Sequence, residues 1–336
     1  VAKKIFHKLF CSKKWPAIYN ILKLSLFIVV LWILYRQTDN FSVKNFQLTA
    51  PKASIAIAFI VFQIRYMLMG VRIYFSARLQ GVSVSLLSCI SLVYRNWFLV
   101  FLVPLPDSED LFKFLYFKNR QVPPVKAVQI ILYDRIGALL ALLFVGLVCL
   151  AIVFYAGGNP YFSHAIVVPF FSIAVMCVLA FTHRWWLKKM LFVFRNTNNQ
   201  VVRRIMDIAA TLSASQISAK VICVSFALSV LYHLCAFFVI IILLGNAFNA
   251  AQWAAIGLGI PLFYVSVIVP LSYQGVGLYE TAMFAYLVFL KIPADLVFQV
   301  TLLHFIFDIL LILTGGTIFL KTGEKFWIKE VYKEDK

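Results

Sequence analysis

The sequence predicts an all-α polytopic membrane protein with about six full spans and two re-entrant helical hairpins in an inverted repeat, both termini cytoplasmic. Three observations predict it. Hydrophobic residues fill 63% of the 336 positions and the mean hydropathy is +0.92, beyond the soluble globular range. Two long apolar runs are each broken by Val-Pro-Leu with acid soon after, at Val103-Pro104-Leu105-Pro106-Asp107-Ser108-Glu109-Asp110 and at Val269-Pro270-Leu271-Ser272-Tyr273-Gln274-Gly275-Val276-Gly277-Leu278-Tyr279-Glu280. Basic residues gather on one side of the spans that hydropathy defines.

In chain order, Lys3, Lys4, Lys8, Lys13 and Lys14 precede a first span at residues 17–35, long enough to cross and lacking a signal-peptide cleavage pattern. Residues 36–52 lie outside. The second span, 53–79, carries Arg65 and Arg72, seven positions apart and so on one helical face. Past a turn at Gly81, residues 86–103 enter with Arg95 and meet the first break. The proline removes a helical hydrogen bond, which is tolerable at membrane depth only inside protein or against a polar cavity. Residues 107–120 are too short and charged to span, and Lys113, Lys118, Arg120 and Lys126 return the chain to the inner side.

Residues 126–156 then cross outward with Asp134 and Arg135, into a loop without Lys or Arg. Residues 165–182 return to a basic connector, 183–219, whose amphipathic part, 201–218, reads equally as a helix on the anionic leaflet or a solvated link. Residues 221–244 cross outward, 253–270 enter and break, 278–290 climb back, and 294–320 cross inward to a basic tail. Of the 31 Lys and Arg, 22 fall inside, four outside (Arg36, Lys44, Lys52, Lys291) and five within spans (Lys23, Arg65, Arg72, Arg95, Arg135), which orients the chain.

Within this single transmembrane domain, residues 86–156 match residues 252–320. Val122-Pro123, Gln129, Ile136 and Gly146 recur as Ile292-Pro293, Gln299, Ile306 and Gly316, a constant offset of 170. One hairpin opens inward and the other outward, and such inverted pairs place a substrate site between them near the midplane.

The net charge of +18 does not imply nucleic acid, because the basic residues fall between apolar runs. The six cysteines are scattered without paired spacing or a His partner, so neither a metal nor a cofactor is expected. The informative residues are ionisable ones at bilayer depth, each costing on the order of 3 kcal/mol unless paired or facing a polar cavity. Arg65, Arg72, Arg95 and Arg135 suit bidentate recognition of phosphate, to which a helix beginning at Gly275 and Gly277 adds backbone N–H donors. Asp107, Glu109, Asp134, Glu280, His304 and Asp308 supply counter-charge or ion coupling, His304 and Asp308 sharing a face four residues apart.

These residues resemble the lysylphosphatidylglycerol synthase/flippase transmembrane family, over most of the chain to Gly316. Pro270 to Glu280 is similar to the family's proline, glycine-rich turn and glutamate, and Pro104 to Asp110 with Asp134-Arg135 to its earlier break and acid-base pair. Ser108-Glu109 stands where the family pattern has Gly-Glu, and Gln274-Gly275 where it has paired glycines, which leaves the substrate open. The soluble aminoacyl-transferase domain of fused members is not part of this sequence. The resemblance implies a flippase of a prokaryotic cytoplasmic (inner) membrane that moves an anionic, aminoacylated or polyprenyl-linked lipid, with membrane lipids as partners and a homo-oligomer left open. The alternatives are a membrane transferase using Asp107, Glu109 or Glu280 as general base, or an assembly subunit.

Overall fold

The computed structural model describes residues 49–102, 108–155, 218–245, 248–268 and 278–322, and among them every regular element is an α-helix. In order these are α1 (Lys52–Arg78), α2 (Leu86–Leu102), α3 (Ser108–Asn119), α4 (Pro124–Tyr155), α5 (Ala219–Leu244), α6 (Ala250–Ile268), α7 (Leu278–Phe289) and α8 (Ala294–Thr322). Helices α1, α4, α5 and α8 are apolar and 26 to 32 residues long. At about 1.5 Å per residue each exceeds the roughly 30 Å hydrocarbon layer, as a multi-pass membrane protein requires. Phe144, Phe154 and Leu313 are exposed on their outer faces, where lipid rather than water is the fitting solvent. The expected spans at 17–35 and 165–182, both proline breaks and most of the basic connector lie outside the described residues.

The shorter helices form two antiparallel pairs. In the first, Asn96 Nδ2 of α2 donates to the Glu109 carbonyl of α3 at 3.4 Å, while Cys89, about two turns earlier, lies beside Tyr116 further along α3. In the second, Phe263 of α6 meets Tyr279 of α7 at 5.5 Å between ring centroids, and the Tyr286 hydroxyl donates to the Ala255 carbonyl at 2.7 Å. With 12 residues each, α3 and α7 reach only about 18 Å.

The offset of 170 carries into the geometry. Helices α3 and α7 begin at 108 and 278, and α4 and α8 at 124 and 294. Each short helix ends on a left-handed residue, Gln121 at φ 58° and Lys291 at φ 60°. The next N–H reaches back to close the turn, Val122 to the Phe117 carbonyl at 3.1 Å and Ile292 to the Leu287 carbonyl at 3.2 Å. The carbonyls of Pro123 and Pro293 then accept the first bonds of α4 and α8. Two like turns, each with a left-handed residue that is not glycine, arise more readily from a duplicated unit than from chance composition.

Helix directions follow from which residues meet. Helix α1 runs antiparallel to α5, since Arg65 bonds Tyr232 and Arg72 bonds Ser229. It runs parallel to α8, since Thr49 bonds Gln299 and Phe59 packs on Phe307. Helix α4 runs parallel to α5, because Gly137 abuts Ser225 and Cys149 and Phe237 meet at Gly257. The matched helices α4 and α8 therefore point in opposite directions. Each unit's long helix packs on the other's hairpin, α4 against α6 and α8 against α2. Glycines permit the closest crossings: a Cβ at Gly137 would fall 2.2 Å from Ser225 Oγ, and one at Gly315 2.0 Å from the Tyr94 carbonyl.

Gln299 ties helix ends together. Its Oε1 accepts from Thr49 N at 2.7 Å, Thr49 Oγ1 at 2.9 Å and Ala50 N at 3.1 Å, satisfying donors at the start of α1. Lys113 departs from the sequence expectation. Instead of flanking the membrane on the inner side it is 1% exposed on α3, because the carboxylates of Glu109, Asp110 and Asp134 surround it.

Candidate functional site

The long helices and both hairpins enclose a cavity of about 170 Å3. Its wall has three chemically different parts, built by different elements.

The first part is a network of three cations and three carboxylates. Arg72 on α1 holds Asp134 on α4 through both carboxylate oxygens, its Nη2 reaching Oδ2 at 3.1 Å, while its Nη1 donates to Ser229 Oγ at 2.8 Å. Lys113 Nζ lies 2.6 Å from Glu109 Oε1, 3.3 Å from Asp134 Oδ2 and 3.6 Å from Asp110 Oδ1. Arg135 makes a two-bond fork to Asp110, each arm 2.9 Å, and reaches Glu109 Oε2 at 3.3 Å. The charges cancel. Removing Asp134 strands Arg72 and Lys113, which are buried, at a cost of about 3–5 kcal/mol.

The second part is Arg65. Its guanidinium carbon lies 4.8 Å from the Tyr232 ring centre, 5.1 Å from Tyr66 and 5.8 Å from both Tyr264 and Phe62. Nη2 donates to the hydroxyls of Tyr232 at 3.1 Å and Tyr264 at 2.6 Å. Nε and Nη1 are buried without a hydrogen-bond partner, and no carboxylate among the described residues pairs with this side chain, which is 3% exposed. Cation–π contacts return about 0.5–2 kcal/mol, less than the several kcal/mol that burying a lone ion costs. The arrangement is a cation held ready with donors unused.

The third part joins α7 and α8. His304 Nδ1 lies 3.4 Å from Glu280 Oε1 and 3.4 Å from Asp308 Oδ2, and all three residues are at least nine-tenths buried. The Tyr279 ring stacks on the imidazole at 4.9 Å, and the Tyr66 hydroxyl donates to Asp308 Oδ1 at 3.4 Å. Tyr66 thus links this acidic wall to Arg65, whose guanidinium lies over its ring.

A chain of opposed helix units around a charged interior cavity now has a counterpart among known proteins: the lysylphosphatidylglycerol synthase TM region matches residues 20–316. The chain belongs to that family. No curated protein matches it. Within the lysylphosphatidylglycerol synthase transmembrane family, the matched stretch takes in every described helix up to the last turns of α8.

For this family member, the residues singled out from sequence divide as follows. Arg65, Arg72, Arg135, Glu109, His304 and Asp308 line the cavity, and Asp134 and Glu280 lie against lining residues. Arg95 is buried on α2, its Nε donating to the Ser91 carbonyl at 3.3 Å, and is not among the lining residues. Gly275, Gly277 and Asp107 lie outside the described residues. The wall is not uniformly positive, since carboxylates stand among the arginines. Sequence reasoning missed Lys113, although acids three and four residues before it signal a helical pair. It also missed Tyr66, Tyr232 and Tyr264, whose only signal is a hydroxyl inside a run otherwise able to span.

Proposed function

We propose that the protein is a lipid flippase that passes an anionic, phosphate-bearing headgroup through this cavity while the acyl or prenyl tail stays in lipid. It acts by transport rather than by group transfer, in the cytoplasmic membrane of a prokaryote, with both termini inside. The two helix pairs are re-entrant hairpins of an inverted repeat, one opening to each side. The observation that carries the reading is Arg65, a buried guanidinium that among the described residues has no carboxylate partner and two nitrogens without a hydrogen bond, lining an interior cavity in a lipid-related membrane family. Guanidinium is the side chain whose planar fork matches phosphate, and a phosphate there would take up the donors that now lack partners. Opposed matched helices with the polar wall between them support alternating access around a fixed site.

Reconstitution tests it. In vesicles carrying a fluorescent phosphatidylglycerol, the purified protein is expected to expose inner-leaflet label to an external quencher well above the protein-free rate. The same protein should move a lipid of like tails and uncharged headgroup far more slowly. Rates equal to protein-free vesicles for every anionic and polyprenyl-phosphate lipid would overturn the proposal.

A further inference from the structure

The two matched units treat one position in opposite ways. Subtracting 170 sets Glu280 on Asp110, His304 on Asp134, Met283 on Lys113 and Phe305 on Arg135. In the first unit an ammonium, Lys113 Nζ, lies 2.6 Å from Glu109, 3.3 Å from Asp134 and 3.6 Å from Asp110. In the second unit the residues matching Asp110 and Asp134 are again metal-ligating types, Tyr279 stands where Glu109 does, and Asp308 adds a third ligating residue. The two fixed cations have been replaced by a buried methionine and a phenylalanine.

We propose that Glu280, His304 and Asp308 form a site for a divalent metal ion of the borderline class, such as Zn2+ or Co2+, which takes the place that the lysine ammonium fills in the matched unit. The donor set is one imidazole nitrogen and two carboxylates, which suits such ions and cancels their charge. One potential ligand atom from each residue lies within 4.8 Å of the other two. A tetrahedral site with bonds of about 2.1 Å has ligand–ligand edges of about 3.4 Å, and His304 Nδ1 is 3.4 Å from both carboxylate oxygens.

Two further features point to a missing partner. His304 is 2% exposed, and among the described residues its Nε2 has no hydrogen-bond partner while its Nδ1 meets the two carboxylates at 3.4 Å without hydrogen-bond geometry, a poorly satisfied state for a buried imidazole that a metal on Nδ1 relieves. The ligands are also held from behind, Asp308 by the Tyr66 hydroxyl and the His304 ring by the stacked Tyr279, as second-layer groups hold metal ligands elsewhere. Three protein ligands leave at least one coordination position open, and His304 and Asp308 line the cavity. This inference stands apart from the transport reading, because the matched residues and the geometry are the same whatever crosses the cavity.

Chelator-stripped full-length protein in detergent, titrated with Co2+, provides the test. The expected result is one equivalent of Co2+ with visible ligand-field bands of tetrahedral intensity, displaced by Zn2+. His304→Ala and Asp308→Asn should each weaken binding at least tenfold, and Met283→Lys, which restores the matched ammonium, should abolish it. Variants are compared at equal monodispersity by size exclusion. Wild-type protein that shows no Co2+ bands above buffer overturns the assignment without reference to any variant. A thiolate charge-transfer band, which would put the ion on a cysteine, does the same, and so does Co2+ affinity unchanged in folded Asp308→Asn.

Discussion

The polar faces of the two matched helix units, set side by side, are a closed charge network and an open one. In the first, Asp110, Asp134 and Glu109 are bound by Lys113, Arg72 and Arg135, and no net charge remains. In the second, Glu280, His304 and Asp308 face each other, with Met283 and Phe305 where the fixed cations of the first unit stand. Between them, among the described residues, Arg65 meets aromatic rings and two tyrosine hydroxyls. The two matched units thus share a backbone pattern and differ in chemistry. The first network is neutralised by fixed side chains, Arg72 of α1 among them, and holds helices together, whereas in the second His304 and Asp308, with Arg65, line the cavity.

The largest expected effect breaks the closed half. Asp134→Ala leaves Arg72 and Lys113 buried without their shared partner and should cost about 3–5 kcal/mol, read as a lower midpoint in detergent thermal unfolding. Lys113→Met, which makes the first unit resemble the second, leaves three carboxylates to two arginines and should cost about 2–3 kcal/mol by the same measurement. The smallest effect is expected in the open half. Arg65→Gln removes a buried charge that has no counter-ion among the described residues, so stability should stay within about 1 kcal/mol of the parent or rise. If Arg65→Gln unfolds the protein as readily as Asp134→Ala does, the division into closed and open halves fails.

Much of this fold was legible in the sequence, because a membrane simplifies the reading. Spans announce themselves by length and hydropathy, which is how α1, α4, α5 and α8 emerge with boundaries a few residues from those observed. The register of 170 was visible at Pro123 and Pro293, and it returns in the left-handed turns at Gln121 and Lys291. Pairing was much less legible. Lys113 reads as a flank charge, because nothing local reveals that α3 folds inward and that Asp134 arrives from α4. The tyrosines around Arg65 come from α1, α5 and α6, and their meeting depends on helix directions that hydropathy does not encode. His304 and Asp308 were visible as neighbours on one helix face, whereas Glu280 joins them only through the packing of α7 on α8.

One experiment bears most directly on the role given to the unpaired guanidinium. Parent and Arg65→Gln, reconstituted at matched density, are compared for the rate at which labelled phosphatidylglycerol becomes reachable from outside the vesicle. The structure predicts at least a tenfold slower rate for the variant, with thermal stability unchanged. Equal rates in an equally stable variant would mean that the phosphate does not sit on Arg65.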